Sequence, residues 1–149
     1  MNDPAELLER LRAGVTTESA AATRELAARF AAMLPDDTTL ALHGDMGVGK
    51  TTFVQGLAQG LGVRESVTSP TFALYSVYRG SGRTLLHLDA YRLEQARQVE
   101  GLMLEEFLVR PWIMAVEWPE KISDWLPANT RHLTLSIVDG DRHHVRLRA

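Results

Sequence analysis

Gly44-Asp45-Met46-Gly47-Val48-Gly49-Lys50-Thr51 is the stretch that decides the fold of this 149-residue chain. It follows the pattern G-x-x-x-x-G-K-[ST]. Its glycines let consecutive backbone N–H groups curl round an anion, and the helix that begins behind them adds the positive partial charge of its N-terminus. Lys50 is then placed to reach the β- and γ-phosphates of a nucleoside triphosphate, and the Thr51 hydroxyl to ligate Mg²⁺. Such a loop needs a strand before it and a helix after it. Thr38 to His43 supplies the strand, with Leu40 and Leu42 in a short run bounded by turn residues. The helix starts near Lys50 and carries Phe53, Val54, Leu57, Ala58 and Leu61 before Gly62. The stretch therefore reads as a P-loop, with Asp45, Met46, Gly47, Val48, Gly49, Lys50, Thr51 and Thr52 as its nucleotide-binding residues. A glycine-rich turn with an incidental lysine is the competing reading. It is weakened by scarcity, because the chain has 14 arginines and only two lysines, Lys50 and Lys121.

On the N-terminal side of the loop, Asp3-Pro4-Ala5-Glu6 reads as an N-cap, a proline in the first turn and a capping-box glutamate, starting a helix that Gly14 ends. A second helix follows Thr17, with Thr23, Leu26, Ala27, Phe30 and Leu34 in one stripe. Residues 1–35 are expected to pack as helices on the core of a single domain covering 1–149. On the C-terminal side, Phe72 to Arg79 and Thr84 to Asp89 flank Gly80-Ser81-Gly82 and read as an antiparallel hairpin. Glu94 to Leu108 has a helical pattern. Trp112 to Val116 is a continuous apolar run suited to a strand buried on both faces. Pro119 to Leu126 suits a short helix, and Leu133, Leu135 and Ile137, then Val145 and Leu147, alternate about the Asp139-Gly140 turn as a closing hairpin. The fold expected is α/β, a P-loop NTPase-like three-layer arrangement with a mixed, mostly parallel sheet and a C-terminal β-hairpin.

Composition narrows the chemistry further. With no cysteine, thiol nucleophiles, disulfides and cysteine-ligated metals are excluded. The formal net charge of −3 gives the molecule no overall attraction for nucleic acid, so any RNA is expected to reach it through a partner. The acidic N-terminus has no apolar h-region and no apolar run approaches the ~20 residues of a membrane span, which points to a cytoplasmic protein.

A P-loop enzyme needs a carboxylate at the end of a neighbouring strand. Two acids qualify. Asp89 ends the Thr84 strand, sharing a face with Leu85 and His87, and Glu117 directly follows the Trp112 to Val116 run. Either could be a strand-end cap by itself; which of them is the direct Mg²⁺ ligand stays open. Thr68-Ser69-Pro70-Thr71 lies where P-loop proteins place a nucleotide-sensing switch, with Pro70 holding Ser69 extended; its plainer reading is a turn. Arg92 reads either as a stabiliser of transition-state charge or as a surface pair. His87 reads first as a hydrogen-bonded core histidine, and His132, His143 and His144 show no metal-ligand spacing. Arg131, Arg142, Arg146 and Arg148 make the closing hairpin basic, and the three tryptophans read as core or interface mass.

Together, Gly44 to Thr51, Thr68-Ser69-Pro70-Thr71-Phe72, His87-Leu88-Asp89-Ala90-Tyr91-Arg92-Leu93 and Val116-Glu117-Trp118-Pro119-Glu120-Lys121 resemble the TsaE (YjeE) family, from about Thr23 to Arg148. The resemblance implies a Mg²⁺-dependent P-loop ATPase that binds and slowly hydrolyses ATP. Its partners would be TsaB and TsaD, and its pathway the threonylcarbamoyladenosine modification of adenosine 37 in tRNAs reading codons that begin with A. It implies Lys50 as the Walker A lysine, Thr51 and Glu117 as Mg²⁺ ligands, Asp89 as the acid needed for hydrolysis with Tyr91 and Arg92 completing its motif, Thr68 to Thr71 as the switch, and Arg142 as a hairpin arginine near the nucleotide. Met46 and Val48 depart from the family's more usual leucine and alanine, both at variable positions. No N-K-x-D run gives guanine specificity, leaving ATP as the nucleotide. A small-molecule kinase and a nucleotide-gated binding module are the other readings.

Overall fold

The computed structural model describes residues 3–70 and 74–148. Three helices come before or directly after the glycine loop: α1 (Pro4–Ala13), α2 (Ala20–Met33) and α3 (Lys50–Gly60). The first two are capped by side chains. Asp3 accepts from the Ala5 N–H at 3.1 Å and Ser19 from the Ala22 N–H at 3.1 Å. Helix α3 differs, because its N-cap is Gly49 in the left-handed conformation (φ 96°) and no side chain caps it. Its first N–H groups are therefore left for something other than a capping oxygen.

Among the described residues seven strands form one sheet: β1 (Val15–Thr17), β2 (Thr38–His43), β3 (Tyr75–Arg79), β4 (Thr84–Asp89), β5 (Trp112–Glu117), β6 (Arg131–Asp139) and β7 (Arg142–Leu147), in the order β1-β7-β6-β2-β5-β4-β3. The four central strands, β6, β2, β5 and β4, are mutually parallel, and β1–β7, β7–β6 and β4–β3 pair antiparallel. The expectation of a mostly parallel sheet is thus corrected to an even mixture, parallel at the centre and antiparallel at both flanks. The two hairpins account for two of the three antiparallel pairs, and β1 against β7 makes the third. Strand β1 has no counterpart in the sequence reading, since three residues are too few for any periodicity; it is held by pairing with β7, Val15 opposite Val145.

Alternation along the strands sorts the core into two layers. Leu40, Leu42, Leu85, Ile113, Ala115, Leu133 and Leu135 face α1–α3, where Phe30, Phe53, Val54 and Leu57 are fully buried. On the other face Leu86, Leu88, Met114 and Val116 meet Leu93, Val99, Leu104 and Ile122. The second layer is made of short turns, which corrects two expectations. Glu94 to Leu108 is not one helix but α4 (Arg97–Glu100) and a 3-10 turn over Leu104–Glu106, broken at Met103 with φ 52°. The expected helix over Pro119 to Leu126 is a 3-10 turn over Pro119–Ile122 entered from Trp118, φ 57°. At Met103 a non-glycine residue in left-handed backbone breaks regular helix geometry, whereas Trp118 stands as the N-cap before the second turn. Phe72 and Thr71 lie outside the described residues. No helix among the described residues is long and apolar enough to cross a membrane.

Candidate functional site

The loop between β2 and α3 turns through positive φ at Gly44 (148°), Gly47 (79°) and Gly49 (96°). At Gly44 the requirement is double. A methyl group there would sit 2.5 Å from the Leu135 carbonyl oxygen and 2.7 Å from Val48 Cγ2, so the backbone packs where only glycine fits. The loop, the start of α3 and the carboxyl ends of β4 and β5 enclose an open cavity of about 420 Å³. Its walls are Met46, Gly47, Gly49, Lys50, Thr51, Thr52, Ser69, Asp89, Tyr91, Glu117, Trp118 and His143.

Parallel pairing brings the two acids side by side, Asp89 opposite Glu117 in the β4–β5 register. Glu117 is 4 % exposed, and its Oε2 accepts from the Thr51 hydroxyl at 3.2 Å. The same oxygen lies 2.6 Å from His87 Nε2, and His87 is fully buried. A carboxylate oxygen accepts, so Nε2 carries the imidazole proton when the acid is ionised. His87 Nδ1 is buried without a hydrogen-bond partner among the described residues. Asp89 accepts from the Tyr91 N–H at 3.0 Å and from the Ser69 hydroxyl at 3.3 Å.

Lys50 is 5 % exposed. Its Nζ donates to the Gly44 carbonyl at 2.6 Å and lies 3.7 Å from the centre of the Trp118 ring. Burial pushes its ammonium below the ordinary value, while the carboxylates of Glu117, Glu120, Asp89 and Asp45 act in the opposite sense. Trp118 in turn meets Tyr91, ring centres 5.0 Å apart. At the other side of the loop His43 Nε2 and His132 Nδ1 are 2.8 Å apart. Burial first, then the Arg148 and His132 charges, lowers His43 to about 4.

The sequence reading placed Lys50, Thr51, Thr52, Asp89, Glu117, Met46, Gly47 and Gly49 at one site, and they line one cavity. Asp45 and Val48 belong to the loop without lining it; Val48 is buried behind Gly44. Thr71 falls outside the described residues. Arg92 is exposed and is not among the lining residues. Arg142 pairs with Glu18 at 3.3 Å and Asp139 at 3.0 Å and is not among the lining residues. The hairpin residue that lines the cavity is the next one, His143. Trp118 is also more than packing mass, since it covers Lys50. Neither signal was readable beforehand, because each depends on how distant strands are set side by side. Among the described residues no cluster of three or more His, Asp or Glu side chains could by itself hold a metal ion.

Residues 17–146 match the family model described as "Threonylcarbamoyl adenosine biosynthesis protein TsaE". The chain is 36 % identical over 135 residues to the tRNA threonylcarbamoyladenosine biosynthesis protein TsaE of Bacillus subtilis, covering 91 % of this chain and 82 % of that one. The protein of the same name from Treponema pallidum is 38 % identical over 74 % of this chain and 82 % of its own. That of Rickettsia bellii is 33 % identical over 91 % and 94 %. Among solved structures, Bacillus subtilis YdiB superposes with a TM-score of 0.72 at 28 % identity, covering 90 % of this chain and 82 % of that one.

Proposed function

The chain belongs to the TsaE family of threonylcarbamoyl adenosine biosynthesis proteins, and from that premise we propose that it is a P-loop ATPase that binds Mg²⁺ and ATP in this cavity. Its role is to drive the tRNA-modifying TsaB–TsaD complex through its cycle in the cytoplasm by ATP binding and slow hydrolysis. The observation that carries the reading is the convergence of Lys50, Thr51, Asp89 and Glu117 on one cavity at the uncapped start of α3.

Lys50 is the phosphate ligand. Its present partners, one carbonyl and one aromatic face, are weaker than a phosphate oxygen, so a triphosphate draws the ammonium off the Gly44 carbonyl. The N–H groups of the loop and of α3 supply the remaining contacts to the β-phosphate. The donor set fits Mg²⁺. It consists of hard oxygens from the Thr51 hydroxyl and the Glu117 carboxylate, with Asp89 one strand further, and it is too small to replace the waters and phosphate oxygens that Mg²⁺ prefers to keep. When bound, the ion neutralises charge on the β- and γ-phosphates. His87 holds Glu117 in place through Nε2. Asp89, already fixed by Ser69 and the Tyr91 N–H, is positioned to orient the water that attacks the γ-phosphate.

An ATPase assay with and without TsaB–TsaD tests the proposal. Stimulation by the complex, lost in Asp89→Asn, is the expected result. Phosphate transfer to a metabolite would replace the proposal with a kinase, and full support of the partners by Asp89→Asn would reduce the chain to a nucleotide-gated binding module.

A further inference from the structure

We propose that His143 is the nucleoside-recognition residue of the site, its ring Nε2 accepting a hydrogen bond from a donor on the ribose or base. The inference rests on the triphosphate reading above and adds to it the end of the cavity that the sequence left unassigned.

Strand order fixes the direction of the ligand. The glycine loop leaves β2, and both acids lie on the β5–β4 flank of that strand. With the metal and γ-phosphate drawn to that flank, the rest of the nucleotide runs the opposite way, over β6 and β7. There the hairpin stands above the sheet. Strand β2 ends at His43, level with Thr134, whereas His143 is opposite Ile137, three residues further along β6. At ~3.3 Å per residue that raises His143 roughly 10 Å past the end of β2.

The position is held on both sides. His143 pairs with Ile137 on β6 and with Thr17 on β1. Its ring lies against Gly49, with Cδ2 3.6 Å and Nε2 3.8 Å from where a Cβ on that glycine would be, and it lines the cavity that Thr52 also lines. The chemistry follows from one hydrogen bond. His143 Nδ1 is 3.1 Å from the Asp141 carbonyl oxygen, which only accepts, so Nδ1 carries the proton. In the neutral ring Nε2 is then an acceptor. The donors on an adenine nucleotide are the ribose hydroxyls and the 6-amino group, and guanine presents a carbonyl oxygen in place of that amine.

Calorimetric titration of the full chain with Mg²⁺–ATP and with Mg²⁺–tripolyphosphate separates the possibilities. His143→Ala is expected to bind ATP about tenfold more weakly, the most that one neutral hydrogen bond contributes, and tripolyphosphate as the wild type does; His143→Gln, which keeps an acceptor, is expected to recover part of the loss. Lys50→Ala weakens both ligands. Equal loss of ATP and tripolyphosphate in His143→Ala would make the ring a phosphate contact and overturn the proposal, as would unchanged ATP affinity. Repeating the titration with 2′,3′-dideoxy-ATP and with purine riboside triphosphate identifies the donor as hydroxyl or amine, whichever analogue abolishes the difference between wild type and His143→Ala; a difference surviving both analogues overturns it. If the wild type binds neither ATP nor tripolyphosphate, the triphosphate reading itself fails, a result distinct from any of these.

Discussion

On the proposed reading, Lys50 is the residue on which phosphate affinity should depend most. Replacing it by alanine removes a charge-assisted contact of about 1.5–3 kcal/mol, so ATP affinity should fall by one to two orders of magnitude in calorimetry; normal affinity would refute the phosphate assignment. Glu117→Gln should abolish the gain in ATP affinity that Mg²⁺ confers while leaving Mg²⁺-free binding nearly intact, measured as the ratio of the two dissociation constants. An unaltered ratio would transfer the ligand role to Asp89. His43 makes a prediction about pH. Its folded value of about 4 lies below the ordinary 6.5, so the unfolded chain binds the extra proton between them. Stability from the neutral ring is therefore complete above pH 6.5 and is lost as the pH falls towards 4. Urea midpoints of His43→Gln should depend less on pH across that window than those of wild type; equal slopes would contradict the assignment. At this scale the sequence discloses placements set by local spacing. The position of Lys50 and Thr51 on the cavity is legible because the loop and helix that aim them are their immediate neighbours. The Lys50–Trp118 contact, the His87–Glu117 pair and the place of His143 depend on register between strands far apart in sequence.

The glycine loop is the element that admits least change. Gly44→Ala would force a Cβ against the Leu135 carbonyl at a φ of 148°, and the protein should lose roughly 1–3 kcal/mol of stability along with nucleotide binding. Chemical denaturation measures the first and calorimetry the second; a stable, binding-competent Gly44→Ala would contradict this loop geometry. Beneath the loop, α2 and α3 approach closely. A Cβ on Gly56 would press on the Arg24 carbonyl oxygen and lie 2.6 Å from Ala27 Cβ, so bulk at that position should part the helices. Long regular elements were legible in the sequence: β2 has the bounds read from it, and α2, β4, β5 and the closing hairpin match closely. Residues 94–108 and 119–126 read as helices in the sequence and form short turns in the structure. Their apolar residues recur at helical spacing, yet left-handed backbone at Met103 interrupts the first and the second winds as a 3-10 turn over Pro119–Ile122, with Val99, Leu104 and Ile122 still buried.

For the whole molecule, the strand order could not be read from the sequence, because nothing local states that β7 lies between β6 and the three-residue β1. That order nevertheless gives the site its two flanks, acids on one and His143 on the other. The formal net charge of −3 bears on partners. Alone, the chain should not retard tRNA in a gel at physiological salt, and a shift should require TsaB–TsaD; tight binding by the isolated chain would remove the partners from the proposal. The central claim is that Lys50, Thr51, Asp89 and Glu117 form one Mg²⁺–ATP site. Its most direct test is a crystal structure of the chain with a non-hydrolysable ATP analogue and Mn²⁺, whose anomalous signal locates the metal. The account predicts phosphates within the Gly44–Thr51 loop and the metal bonded to the Thr51 hydroxyl beside Glu117; metal and phosphates found elsewhere would contradict it.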